Sequence, residues 1–403
     1  MIVLVINAGS SSVKFTCFEM ISDPKVLANG LIERIGLDGT LMKYSNHKGD
    51  EAKREVTVKN AEEGVKIIAQ KLVDSKIGVL KSLTEVKAIG HRVVSGGEYF
   101  SDPVVVDARV KEFIDKCSVY APLHNPHHLL GINACEATFP GVTNVAVFDT
   151  AFHIAGIQPH AYLYAIPYEL YTEQKIRRYG AHGTSHDYVS RKAAELLGKP
   201  RQNVRAIVCH LGNGASISAV AGGKCQDTSM GLTPLEGVIM GTRSGDIDPA
   251  IVWTVMKLKN LSPVEADNFF NKKSGMLALA GIGSSDLRDI EAEHKKGNKQ
   301  CTQALETYAY RIKKYIGSYL AALGGADIVA FTAGIGENSA TMRALILKGL
   351  DDLGIKLDAA KNSERSGEAR FISTNNSPIK IAVIPTDEEQ EIAKQTLALA
   401  IVK

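Results

Sequence analysis

Short runs of Val, Ile and Leu recur along the chain, separated by longer stretches in which apolar residues return every three or four positions. The short runs predict strands at 3–6, 13–18, 89–94, 145–148, 206–209, 217–220, 328–332 and 379–384. The clearest helical period covers about 302–323 and places Leu305, Tyr308, Ala309, Ile312, Ile316 and Tyr319 on one face. Gly324 and Gly325 stand where a helix should stop. A second helix is expected to start near Ser185 and to turn Val189, Ala193, Leu196 and Leu197 inward. The polar stretches 43–59 and 291–299 read as solvated hairpins or loops. Strands alternating with helices predict an α/β protein.

One device occurs twice. Strand 3–6 runs into Asn7-Ala8-Gly9-Ser10-Ser11-Ser12, then Val13-Lys14-Phe15. Strand 206–209 runs into His210-Leu211-Gly212-Asn213-Gly214, then Ala215-Ser216-Ile217. Each reads as strand, tight turn, strand. Glycine lets backbone approach a ligand, and successive N–H groups in such a turn form an anion nest. An ordinary hairpin explains either copy alone; the repetition points to two similar domains facing a cleft around one phosphate chain. The boundary falls near residue 150.

Composition narrows the classes. The 403 residues are 45% hydrophobic and 23% charged, with net charge +3. That charge is too small and too dispersed for a nucleic-acid protein, but it suits an anionic substrate. No apolar run approaches the roughly 18 residues of a membrane span. The six cysteines, Cys17, Cys117, Cys135, Cys209, Cys225 and Cys301, form no CxxC pair. With a start that goes directly into a strand, they lead us to expect reduced thiols and a cytoplasmic protein.

Polar residues interrupt apolar strands at several points, where burial demands a partner. Arg92 sits in 89–94 ahead of Gly96-Gly97, and needs either an anionic ligand or an ion pair within the fold. Asp149 ends strand 145–148, at the carboxyl edge where α/β folds place their sites, though an N-cap explains it as well. His182 lies in Gly180-Ala181-His182-Gly183 before a helix start; zinc is a weak competitor, since His182 and His186 have no third ligand nearby. Arg243 stands between Thr242 and Ser244-Gly245, with room to reach. Gly334-Ile335-Gly336-Glu337-Asn338 follows strand 328–332 but lacks the Gly-Lys-Ser/Thr of a P-loop. Asp387-Glu388-Glu389 ends the last strand in acids, suited to a metal or a helix cap. Together these describe a phosphoryl-transfer site.

In this order the segments resemble the acetokinase family of acetate and propionate kinases. The resemblance runs from residue 3 to about 392 and includes Ala121-Pro122-Leu123-His124-Asn125-Pro126, Phe148-Asp149-Thr150-Ala151-Phe152-His153, Met230 to Gly237 and Gly241 to Asp246. It implies the duplicated actin/sugar-kinase/Hsp70-like ATPase fold, ribonuclease H-like domains around a central cleft. The expected domains are 1–150 plus 386–403, and 151–385. It implies reversible phosphoryl transfer between ATP and acetate, with propionate as the alternative acceptor, and a homodimer.

Carried onto this sequence, the family's pattern gives Asp149, His182 and Arg243 catalytic roles. Arg92, Val94, Leu123 and Pro234 would bind the acyl substrate. The nucleotide would fall to Lys14, His210, Leu211, Gly212, Asn213 and Gly214, to Asp286, Leu287 and Arg288, and to Gly334, Ile335, Gly336, Glu337 and Asn338. Asn7 and Glu388 would hold Mg²⁺, with Mn²⁺ as the alternative. Two positions depart from the pattern. Ser95 stands where a histidine is usual, and Ala181 stands where some members line the acyl pocket with phenylalanine. A non-catalytic ATP-binding switch would need the glycine turns but not Arg92, Asp149, His182 and Arg243 together.

Overall fold

The computed structural model describes residues 1–122 and 124–401. They divide into two units, Met1–Ile154 with Asp387–Lys403, and Ala155–Thr386. The first unit is built on β1 (Ile2–Ala8), β2 (Ser12–Glu19), β3 (Lys25–Glu33), β4 (Leu41–Asn46), β5 (Glu51–Glu55), β6 (Val86–Val93), β7 (Val104–Val105) and β8 (Thr143–Phe148), in the order β5-β4-β3-β2-β1-β6-β8-β7. The second uses β9 (Arg205–Leu211), β10 (Ala215–Ala221), β11 (Lys224–Thr228), β12 (Ile328–Thr332), β13 (Arg370–Phe371) and β14 (Lys380–Val383), in the order β11-β10-β9-β12-β14-β13.

The two sheets repeat one pairing pattern. In the first, β1 pairs antiparallel with β2 and parallel with β6, which pairs parallel with β8. In the second, β9 stands in the same relation to β10, β12 and β14. The duplication suggested by the two glycine turns is therefore a duplication of topology. Each turn is closed by its own glycine: Gly9 N–H donates to the Ser12 carbonyl at 2.7 Å, and Gly212 N–H to the Gly214 carbonyl at 3.0 Å.

Central strands read as continuous apolar runs because both faces are covered. Leu4, Ile6 and Ala8 of β1 pack with Val65, Ile68 and Ala134 on one side. Val3 and Val5 pack with Val145, Val147, Ile392 and Ala393 on the other, so the closing helix Glu388–Ile401 belongs to the first unit's core. In the second unit Ile207, Cys209 and Leu211 face the long helix Lys299–Leu323 through Leu305, Tyr308, Ile312 and Ile316. That helix begins at an Asn298 cap, one turn before the apolar period is visible, and ends on Gly324 at φ +64°.

The stretch 43–59 contains the hairpin β4–β5. The stretch 291–299 differs from expectation: its first five residues finish the helix Leu287–Lys295, which is capped by Asp286 and buries only Leu287 and Ile290. So narrow an apolar stripe leaves a polar sequence that resembles a loop. All six cysteines are buried and none forms a disulfide. Burial pushes the Cys17 and Cys117 thiols up to about 12, which leaves them unreactive.

Candidate active site

In the first unit the polar residues gather at the carboxyl ends of β6 and β8. Arg92, in β6, meets Asp149, the residue after β8. Nε donates to Oδ1 at 2.9 Å and Nη2 to Oδ2 at 2.7 Å, a bidentate pair. The register of the two parallel strands makes this pairing possible, and Asp149 N–H is fixed to the Val93 carbonyl at 2.9 Å. Glu388, at the start of the closing helix, lies 3.8 Å from Arg92 Nε. Burial pulls the guanidinium down, but Asp149 and Glu388 outweigh it and hold it above its usual value. Burial raises the Glu388 carboxyl, and Arg92 opposes that shift.

Nε and Nη2 of Arg92 are both committed to Asp149. Asn7 and Lys14 face each other across the β1–β2 hairpin, and Lys14 is ion-paired with Glu389. Val94 is buried beside Arg92. Leu123, expected in the acyl pocket, lies outside the described residues. Ser95 is locked in place: Asn125 Oδ1 accepts its N–H at 3.1 Å, Asn125 Nδ2 donates to its carbonyl at 2.9 Å, and its Oγ accepts Gly97 N–H at 3.3 Å. The serine thus shapes the glycine turn.

In the second unit His182 caps the helix Gly183–Leu196 from the left-handed region, φ +60°. Strained backbone of this kind recurs at functional sites. Its Nδ1 bonds Ser216 Oγ at 2.8 Å, and His186 Nε2 bonds the same oxygen at 2.7 Å. Its ring stacks on His210 with centroids 4.3 Å apart. Arg243 reaches the same place from the loop after Met240. A Cβ on Gly214 would stand 3.5 Å from His182 Nε2 and 3.7 Å from Arg243 Nη1, so imidazole and guanidinium share the space over that glycine.

Arg243 differs from Arg92 in one respect. Its Nη1 meets only the Pro234 carbonyl at 3.3 Å and Met240 Sδ at 3.6 Å, and no carboxylate pairs with it among the described residues. Burial lowers its pKa with no opposing charge. A half-buried cation without a counter-ion is a site for an arriving anion.

Beside this lies a cavity of about 830 Å³, lined by Gly212, Asn213, Asp286, Leu287, Arg288, Gly334, Ile335 and Asn338. Three separate expected segments thus meet on one wall. Ser285, Glu291, Ser339 and Arg365 also line it and were not anticipated. Ser285 adjoins a named segment, but Glu291, in the helix Leu287–Lys295, and Ser339, the cap of the helix Ala340–Leu347, are joined by a 2.5 Å hydrogen bond that no local pattern announces. His210, Leu211 and Gly336 are buried behind the turn, and Glu337 directs its carboxylate at backbone N–H groups. Ala181 packs in the second unit's apolar core.

A further framework residue is Arg178. It donates to the carbonyls of Thr228, Ser229 and Met230 and, at 2.6 Å, to Glu236, which also accepts from Tyr164. This brace fixes the loop that carries Pro234. A Cβ on Gly231 would lie 1.7 Å from the Glu236 carboxylate.

Residues 2–394 match the model of the acetokinase family. The acetate kinase of Thermoanaerobacter pseudethanolicus is 51% identical over 395 residues, covering 98% of each chain. The crystal structure of Porphyromonas gingivalis acetate kinase superposes with a TM-score of 0.94 at 44% identity over the whole of both chains. A propionate kinase from Francisella tularensis gives 0.91 at 42% identity, over 98% of this chain and 99% of its own.

Proposed function

The chain belongs to the acetokinase family, and we propose the roles that its residues take in one phosphoryl transfer. The reaction is reversible transfer between ATP and acetate: an acetate oxygen attacks the γ-phosphorus, the bond to the bridging oxygen breaks, and ADP leaves acetyl phosphate behind. The acceptor has a pKa near that of glutamate, about 4.3, so it is already ionised at neutral pH. No general base is needed. Asp149 instead fixes Arg92 so that its Nη1 edge meets the acetate carboxylate or a phosphoryl oxygen.

The remaining difficulty is repulsion between an anionic nucleophile and an anionic phosphate. Arg243 and His182 answer it by taking up charge on the transferring group. The observation that carries this reading is the uncompensated Arg243 beside His182 over Gly214. An arginine in that role contributes on the order of 10³-fold or more in rate. The Gly212–Gly214 turn takes the phosphates, and the cavity takes the nucleoside. The family's pattern assigns the acyl group to Val94 and Pro234.

The donor set fits Mg²⁺, or Mn²⁺ in its place. Asn7 and Glu388 offer hard oxygen ligands, and no group of three or more His, Cys, Asp or Glu could cage a metal among the described residues. Mg²⁺ binds in this way, through one or two carboxylates plus substrate phosphates. When bound it supplies charge neutralisation on the phosphates.

A second copy of the chain covers the helix Pro249–Lys259, which buries none of its own residues. Trp253 is 61% and Leu258 80% exposed there, with Val264 exposed nearby. The protein is cytoplasmic in this reading, in keeping with buried cysteines that form no disulfide. No described helix is long and apolar enough to cross a membrane.

The test is acyl phosphate formation, trapped as the hydroxamate, with Mg-ATP and acetate, propionate or butyrate at matched concentrations. Acetate leading in kcat/KM is the expected result. Propionate leading would make the protein a propionate kinase, and no product would overturn the reading.

A further inference from the structure

The turn Ala333–Asn338 is held by more than its own helix. Ala333 is a non-glycine residue in the left-handed region, φ +63°, a conformation that costs energy for any residue with a Cβ. The Glu337 carboxylate compensates. Its Oε1 accepts Ala333 N–H at 2.8 Å and Thr386 N–H at 3.2 Å, with Thr332 Oγ1 at 3.4 Å. From the other end, buried Arg343 donates to the Gly336 and Glu337 carbonyls at 2.9 Å each, and to Asn362 at 2.8 Å. Gly334, Ile335 and Asn338 line the cavity; Glu337 does not.

The bond set continues at Thr386, whose Oγ1 bonds Ser185 Oγ at 2.9 Å, which in turn bonds His210 Nδ1 at 2.8 Å. Thr386 is two residues before Glu388. One carboxylate oxygen therefore fixes both the cavity wall and the segment leading to the acidic turn.

We propose that Glu337 is a positioning residue that does not touch the nucleotide: it holds Ala333 left-handed, so that Gly334, Ile335 and Asn338 present a preformed wall, and it anchors Thr386 in the same bond set. This rests on the reading of the cavity as the nucleoside site. Two N–H groups need only an oxygen acceptor, so the amide of a glutamine should serve where a charge is not required.

The experiment is calorimetric titration of ADP without metal into the full-length protein and into E337Q, E337A, A333G and the A333G/E337A double variant, with Tm measured for each. E337Q should bind within about threefold of the parent. E337A should bind about tenfold more weakly. The double variant should recover most of that loss, because glycine holds φ +63° without help. Loss in E337Q equal to that in E337A would mean that the charge meets the ligand, and would overturn the proposal. So would a double variant no tighter than E337A, or an E337A variant that loses Tm but keeps its affinity. A parent protein that does not bind ADP would overturn the nucleoside reading itself, a result distinct from all of these.

Discussion

Arg92 and Arg243 carry the same charge in opposite settings. Arg92 is neutralised by Asp149. Arg243 has only a carbonyl and a thioether. Replacing Asp149 with Asn should therefore raise the KM for acetate as well as lower kcat, because it frees Arg92 to rotate; steady-state kinetics on the variant checks this. Val94→Ala should shift preference toward propionate, read as the ratio of kcat/KM values. The shift is limited to about 1–3 kcal/mol, the worth of a methylene in an apolar pocket. Histidines elsewhere in the first unit make a different prediction. Burial lowers His91 to about 4, against the hydrogen bond that its Nε2 donates to Asn144 Oδ1, and lowers His128 to about 3, with Arg92 adding to it. Between the unfolded value near 6.5 and these folded values, the unfolded chain binds protons that the folded chain refuses. Stability should thus fall as pH drops from 6.5 toward 4, by about 1.4 kcal/mol per pH unit for each histidine. Thermal unfolding from pH 7 to pH 4 should show that slope, and H128N should reduce it.

At the scale of elements, glycines set how closely the parts pack. Gly90 in β6 faces the closing helix, and a Cβ there would lie 2.3 Å from Thr396 Oγ1 and 2.8 Å from Ile392. Gly90→Ala should push away the helix that carries Glu388. We expect about 1–3 kcal/mol of lost stability and a higher Mg²⁺ concentration for half-maximal turnover, measured by denaturant melts and metal titration. The same steric logic explains what was legible. Central strands with both faces covered are apolar throughout, so β1, β6, β8, β9, β10 and β12 stand out in the sequence. The outer strands β3, β4 and β5 of the first sheet and the edge strand β11 of the second carry Lys, Arg, Glu or Asn on exposed positions and lose that signal. Glycine turns and strand-end charges were visible because each is a local conflict between neighbours. Arg178 with Glu236, and Glu337 with Thr386, were not, since nothing near them in sequence names the partner. Glu337 was grouped with the nucleotide by its position in a glycine motif; only its side-chain direction separates it from its neighbours.

For the whole molecule, duplication gives two sheets of one topology and two hairpins with different equipment. The first unit collects carboxylates around an arginine; the second collects an unpaired arginine, a histidine and a cavity. Under the dimer proposed above, the exposed helix Pro249–Lys259 lies at the interface, and Trp253→Glu should convert the dimer to monomers in analytical ultracentrifugation. In the proposed reaction, Arg243 meets charge that develops during transfer. The direct measurement is kcat for acetyl phosphate formation in Arg243→Ala, beside calorimetric ADP affinity in the same variant. We predict a fall of about 10³-fold or more in kcat, with ADP affinity within a few fold of the parent. Near-normal turnover, or a loss of ADP affinity that accounts for the whole effect, would contradict it.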